Sequence, residues 1–210
     1  MDTATTHDHG HADADARLVA ALRRDVVGAF PDVVSAHQDR LYTIALRMLG
    51  DPPDAEETTQ DAFVRAYRAL AGYDDARIAE LRLRGWLTTI VLNLCRTRRG
   101  RRAEPGGAPA SLDDLPAGRP EPHAPEAHSP AAAANRLSTR DAWGARLLRL
   151  PPAYRSAVVL RHVDGLSYPE TAAALGRPEG TVKAQVHRGI ALLRTMLEAE
   201  ALAEREEMTA

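Results

Sequence analysis

The stretch from residue 103 to 136 limits what this chain can fold into more than any other, because it holds seven of the fourteen prolines, Gly106-Gly107 and four consecutive alanines at 131–134. Proline fixes φ and removes a backbone donor, so neither a helix nor a central strand runs through such a tract. Little branched aliphatic content is left there to bury. The segment therefore reads as a flexible Pro/Ala-rich linker, mildly acidic through Asp113, Asp114, Glu121 and Glu126, and whatever folds must fold on either side of it. Its ends would average roughly 30 Å apart and could reach more than about 100 Å when extended.

On the N-terminal side, Val34, His37, Leu41, Ile44, Ala45 and Met48 recur at three- and four-residue steps, which predicts a helix over 32–49 closed by Gly50. A second helix, Asp54 to Leu70, follows at once; Asp51, with Pro52 behind it, and Asp54, with Glu57 behind it, are both competent N-caps. Its Ala55, Thr59, Ala62, Phe63, Ala66 and Leu70 share one side, whereas Asp54, Glu57, Gln60, Asp61, Arg65 and Arg68 share the other. One side packs, and the other is either solvated or a docking surface for a basic helix. Residues 71–83 read as a loop with some helical turns. A third helix, about 84–99, turns Trp86, Leu87, Ile90, Val91 and Leu94 inward and ends in arginines.

Beyond the linker, Trp143, Leu147 and Leu148 lead to Leu150-Pro151-Pro152, then Tyr154, Val158, Val159, His162 and Val163 form a helix stopped by Asp164-Gly165. Ser167 and Glu170 make a capping box with Pro169 in the first turn, Gly176 supplies a positive φ, and Pro178 forces a break before a helix restarts near Glu179 to Thr181. In that last helix Val182, Val186, Ile190, Leu193 and Leu197 form a stripe opposite Thr181, Ala184, Gln185 and Arg188, with Lys183 and His187 at its margins. Side chains of this kind can bond to base edges and phosphates in a major groove; an ordinary helical hairpin with a solvated face would carry the same pattern. The fold class expected is all-α, two small helical domains with the C-terminal one a helix-turn-helix. The domain boundaries are a mostly disordered extension at 1–30, a helical domain at 31–102, the linker at 103–136, a second domain at 137–200 and a fraying tail at 201–210.

Composition narrows the function. The net charge of −2 excludes a globally basic binder, yet Arg84, Arg96, Arg98, Arg99, Arg101 and Arg102 fall in a segment without one acidic residue. So many cations exceed what a helix C-terminus requires, and they read as a footprint for a phosphate backbone. Cys95, the sole cysteine, excludes an internal disulfide and a cysteine zinc cluster. His7, Asp8, His9 and His11 read as a solvated tail rather than a metal site, and His162 as a packed or surface residue rather than a catalytic one. No apolar run reaches membrane-span length and the start lacks the order of a signal peptide, so a soluble cytoplasmic protein without membrane insertion is expected. Nothing suggests a cofactor, a metal or a catalytic residue, so the chain is not read as an enzyme.

Two blocks, LYTIALRMLGDPPDAEETTQDAFVRAYRAL with GWLTTIVLNLCRTRR, and LPPAYRSAVVLRHVDGLSYPETAAALGRPEGTVKAQVHRGIALLR, resemble the second and fourth conserved regions of the sigma-70 family. The chain is similar specifically to the family's two-domain extracytoplasmic-function (ECF) RNA polymerase sigma factors. The resemblance implies docking of Asp54, Glu57, Gln60 and Asp61 on core RNA polymerase. It also implies engagement of the promoter −10 element by Trp86, Asn93, Arg96, Arg98 and Arg99, and reading of the −35 element by Thr181, Lys183, Gln185, His187 and Arg188. Core polymerase, promoter DNA and an anti-sigma factor are the partners it implies; the alternative is a stand-alone helix-turn-helix transcriptional regulator. Leu83, Thr97 and Gly189 depart from the residues common in the family, and Gly189 carries an intrinsic helix cost of roughly 1 kcal/mol.

Overall fold

The computed structural model describes the backbone of residues 4–103 and 142–208, and the side chains of 13–100 and 142–208 except Glu204 and Glu207. All but the first residue of the expected linker thus lies outside the described residues, as do the side chains of His7, Asp8, His9, His11, Arg101 and Arg102. Among the described residues every regular element is helical: α1 (Ala4–Arg24), α2 (Val26–Leu49), α3 (Pro52–Leu70), the short α4 (Asp75–Ala79) and α5 (Leu83–Ala103) form the first domain. The second contains α6 (142–149), α7 (Pro152–Val158) continuing into a π-helical turn (Val159–Val163), α8 (Tyr168–Leu175) and α9 (Glu179–Glu207).

The first domain is an aliphatic core between three long helices. Val33, His37, Leu41, Ile44, Ala45 and Met48 of α2 meet Ala55, Thr59, Ala62, Phe63, Ala66 and Leu70 of α3, and Leu87, Val91, Leu94 and Cys95 of α5 close the third side. Each fully buried large aliphatic side chain is worth about 1.5–3 kcal/mol, so a core with so few aromatic residues still holds. Phe30, edge-on to Phe63 at 6.4 Å and to Tyr67 at 5.1 Å, seals one flank.

Three boundaries differ from the sequence expectation. Residues 1–30 read as mostly disordered with a weakly helical piece around Ala16 to Val27, but α1 is helical from Ala4 and buries Val19 and Leu22 against the core. Its alanines favour helix, and Asp15 ties it to the rest: the carboxylate accepts from the Arg84 backbone N–H at 3.2 Å and lies 3.3 Å from His37 Nε2. Next, α2 starts at Val26 rather than Asp32 and carries Pro31 within its second turn. Asp25 caps it by accepting from the Gly28 N–H at 3.0 Å, and Val33, fully buried, makes packing outweigh one missing N–H. Finally, the tail expected to fray from residue 201 continues helical to Glu207, since Arg146 and Arg149 of α6 both donate to Glu200, at 2.7 and 3.1 Å.

The π turn is also beyond sequence reading. The Asp164 N–H donates to the Val159 carbonyl at 2.9 Å and the Leu166 N–H to the Leu160 carbonyl at 3.0 Å, which accommodates one extra residue in the turn. That residue rotates the succeeding backbone, so His162 and Val163 are exposed, the surface alternative for His162, and Asp164 is carried into the interior. Gly165 (φ 76°) completes the reversal.

The two domains pack on each other. Arg155 of α7, 6% exposed, donates to the Met48 carbonyl of α2 at 3.0 Å as well as to the Leu148 and Leu150 carbonyls. Burial, and secondarily the like charge of Arg99, push its guanidinium down to about 10. Leu148 sits so close over Gly50 that a Cβ there would fall 2.3 Å from its Cδ1.

Candidate nucleic-acid and docking interfaces

Helix α3 settles which aspartate caps it. Asp51 accepts from the Asp54 N–H at 2.9 Å with Pro52 at the first helical position, which frees Asp54 for another role. By helical spacing Asp54 belongs to the free face, but it is only 8% exposed. The reason is tertiary: α5 crosses this end of α3, and Arg98 donates through Nε to Asp54 Oδ1 at 3.0 Å and through Nη2 to Glu57 Oε2. The hydrogen bond that Arg98 donates to Glu57 is the largest cause holding its guanidinium above the ordinary value. Arg98, expected on the DNA side, is partly exposed and braces the acidic surface of α3, whereas Glu57, Gln60 and Asp61 project into solvent.

The remaining α5 residues divide by turn. Trp86 is half-buried against Tyr73 at 6.1 Å, near the Arg77–Tyr73 cation–π contact of 3.9 Å, so the loop before α5 is held by aromatic packing. Asn93 and Arg96 are exposed, and Arg96 donates to Asn93 Oδ1 at 2.8 Å, presenting amide and guanidinium as one polar unit. Arg99 is partly buried, and Cys95 is fully buried with its thiol pushed up to about 12 by desolvation. Among the described residues no group of three or more His, Cys, Asp or Glu side chains converges in the manner of a metal site.

The helix-turn-helix forms as its residue types dictate. Ser167 accepts from the Glu170 N–H, Glu170 accepts from the Ser167 N–H at 2.8 Å and hydroxyl at 2.6 Å, and Gly176 ends α8 at φ 62°. Burial raises the Glu170 carboxyl, but the two Ser167 hydrogen bonds and the charges of Arg84 and Arg82 outweigh it and hold the group below its ordinary value. Val182, Val186 and Leu193 of α9 are buried, with Ile190 and Leu197 partly so, while Thr181, Lys183, His187 and Arg188 are exposed. Gln185 is partly buried and its carbonyl accepts from Arg177 Nη1 at 2.8 Å, which fixes the amide orientation. Lys183 pairs with Glu179 at 2.7 Å and stands 5.5 Å from the Tyr168 ring. Arg177 and Tyr168, absent from the sequence-based set, orient two of its members; the turn alone brings them there, and no periodicity signals it.

Known proteins carry the same order of parts. Two family models match the chain: Sigma-70 region 2 over residues 33–104, and Sigma-70, region 4 over residues 140–193. The ECF RNA polymerase sigma factor SigW of Bacillus subtilis is 33% identical over 86% of this chain and 95% of its own length. The RNA polymerase sigma-E factor of Streptomyces avermitilis is 37% identical over 85% and 92%. The ECF RNA polymerase sigma factor SigE of Mycolicibacterium smegmatis is 35% identical over 80% of this chain, which spans 62% of that protein. Among solved structures, CnrH in complex with the cytosolic domain of CnrY superposes with a TM-score of 0.63 at 28% identity, covering 89% of this chain and 99% of that one. The sigma factor RpoE of Bartonella quintana, solved with the anti-sigma factor NepR, shares the fold with a TM-score of 0.56 at 22% identity over 80% and 96%. The chain belongs to the sigma-70 family, among its ECF RNA polymerase sigma factors, and acts in transcription initiation.

Proposed function

We propose that the chain supplies promoter binding and strand opening to core RNA polymerase and performs no covalent chemistry itself. The observation that carries this reading is the polarity of α9: a stripe of Val182, Val186 and Leu193 is buried, and Thr181, Lys183, His187 and Arg188 are exposed behind a capped turn, with Gln185 oriented by Arg177. These five side chains would read the −35 element. Glu57, Gln60 and Asp61 would dock on core polymerase, with Asp54 acting through Arg98 to hold Glu57 in place. Trp86, Asn93, Arg96 and Arg99 would engage the −10 element. An anti-sigma factor is the further partner class this reading admits, and no described helix is long and apolar enough to cross a membrane.

The test is run-off transcription with purified core polymerase on a genomic promoter library. Reversing charge at Glu57 and Asp61 is expected to abolish holoenzyme formation without unfolding the chain. Removing the Gln185 or Arg188 side chain is expected to relax base preference upstream by about 1–3 kcal/mol per lost bidentate contact. Unchanged initiation after charge reversal, or unchanged base preference, sinks the corresponding assignment.

A further inference from the structure

Arg177 stands in the turn between α8 and α9, and its backbone has little freedom there. The Gly176 N–H donates to the Ala173 carbonyl at 3.2 Å and the Arg177 N–H to the Ala172 carbonyl at 3.0 Å, the pair of bonds that closes a helix over a left-handed glycine. Pro178 then fixes the next φ. From this anchored point the side chain reaches α9, where Nη1 donates to Gln185 Oε1 at 2.8 Å. Both side chains are partly buried. The acid nearest in sequence that could draw the guanidinium away, Glu179, is held by Lys183 at 2.7 Å. Among the described residues Arg177 has no ion pair, and Gln185 has no second hydrogen-bond partner.

That contact decides which chemistry Gln185 can offer a base. A guanidinium carries donors and no acceptor, so the end of the amide that faces it is the oxygen. A charge-assisted bond is roughly twice as strong as a neutral one, and it holds the amide plane along with the oxygen. The carbonyl is thus directed to the turn. The Nε2 amino group is the end left facing away from it, on the side of α9 that also carries Thr181 and Arg188. Glutamine reads adenine by using both ends at once, oxygen accepting from N6 and nitrogen donating to N7. With its oxygen engaged, Gln185 keeps only the donor half. An A·T pair offers a lone donor one acceptor at a time, N7 of adenine or O4 of thymine, whereas guanine sets O6 and N7 side by side.

We propose that Arg177 is a positioning residue that makes Gln185 a donor, so that the base pair Gln185 meets is selected as G·C over A·T. The proposal rests on the −35 reading of α9 and narrows it: the Gln185 contact is a donor's, not the two-way contact glutamine makes with adenine. Specificity at this position is then written by two residues, one of which need not touch the base. Gln185 alone, freed from the turn, would rotate its amide to suit whichever pair it met, and an adenine would satisfy both of its ends.

The test uses core polymerase loaded with the full chain, on promoters randomised through the −35 element, with transcripts counted by sequencing. Gln185→Ala first marks the base pair in question, as the position where preference flattens. The parent should favour G·C there. Arg177→Met and, separately, Arg177→Ala, both without a donor and with helicity unchanged, should move the ratio of A·T to G·C at that pair upward by roughly 5- to 100-fold, the factor one bidentate base contact is worth. Two variants guard against one misfolding. In a Gln185→Ala background the same Arg177 substitutions should leave the pair flat, which a merely structural role for Arg177 does not predict. A parent that favours A·T at the marked pair overturns the proposal, as does an even loss of initiation on all promoters in both folded Arg177 variants, the mark of a phosphate contact. If Gln185→Ala flattens no position, the −35 reading of Gln185 has itself failed and the proposal falls with it.

Discussion

Replacing Gly189 with alanine sets two physical effects of opposite sign against each other. Helix propensity alone predicts that Gly189→Ala in α9 stabilises the chain by about 1 kcal/mol. The packing says otherwise: a Cβ at this position would sit 2.6 Å from Val158 Cγ2 and 3.4 Å from Tyr154 Cβ. Comfortable carbon contacts lie near 3.5–4.0 Å, so the new methyl overlaps Val158 by roughly 1 Å. Val158 cannot swing clear, because a β-branched side chain in a helix has one strongly preferred rotamer and this one is 3% exposed. Pushing α7 off α9 costs about 1–3 kcal/mol, so the net expectation is destabilisation by about 1 kcal/mol, or a Tm lower by about 2–4 °C for a chain of this size. The assay is urea unfolding followed by helical circular dichroism on a double-mutant cycle. With Val158→Ala already present the obstructing methyl is gone, the cavity accepts the alanine, and Gly189→Ala should stabilise by about 1 kcal/mol, a coupling near 2 kcal/mol. Stabilisation by Gly189→Ala in the parent, or coupling indistinguishable from zero, would falsify the claim that Gly189 is there for close approach of two helices.

Ser167→Ala should cost about 1 kcal/mol through loss of the capping box, read as a lower urea midpoint. The same box makes a pH prediction: Glu170 is held below its ordinary value near 4.5, so its contribution is complete above that pH and is lost as pH falls through the lower folded value. The acid limb of the stability curve should therefore flatten in Glu170→Gln, and an unchanged limb would contradict it. Cys95, its thiol raised to about 12, should resist a maleimide at neutral pH in the folded chain and react only once urea unfolds it. Arg155→Met should destabilise by about 3 kcal/mol by removing the donor to three carbonyls, seen in the same urea titration.

Periodicity and cap chemistry carried most of the fold. The stripes of α2, α3 and α9, the capping box at Ser167 and the left-handed Gly176 are local matters: each depends on residues within a turn or two, which the chain order states directly. The exposed half of the candidate site, Glu57, Gln60, Asp61, Thr181 and Arg188, was legible for the same reason. The failures share a cause. Asp54 lies on the polar side of its own helix by every local criterion, and only the crossing of α5 with Arg98 buries it. Proline at 31 marks a break by local rule, and only packing of Val33 carries α2 through it.

The amino-acid order thus determined that α2, α3, α5, α7, α8 and α9 are helices, where α8 and α9 begin, and the apolar stripe that α2, α3 and α9 each bury. Only the tertiary structure decided where charge is neutralised and how the two halves meet. The pairings of Arg40 with Asp164 and Arg98 with Asp54 span 124 and 44 residues. No periodicity reaches so far, because an ion pair needs proximity in space and leaves sequence separation free.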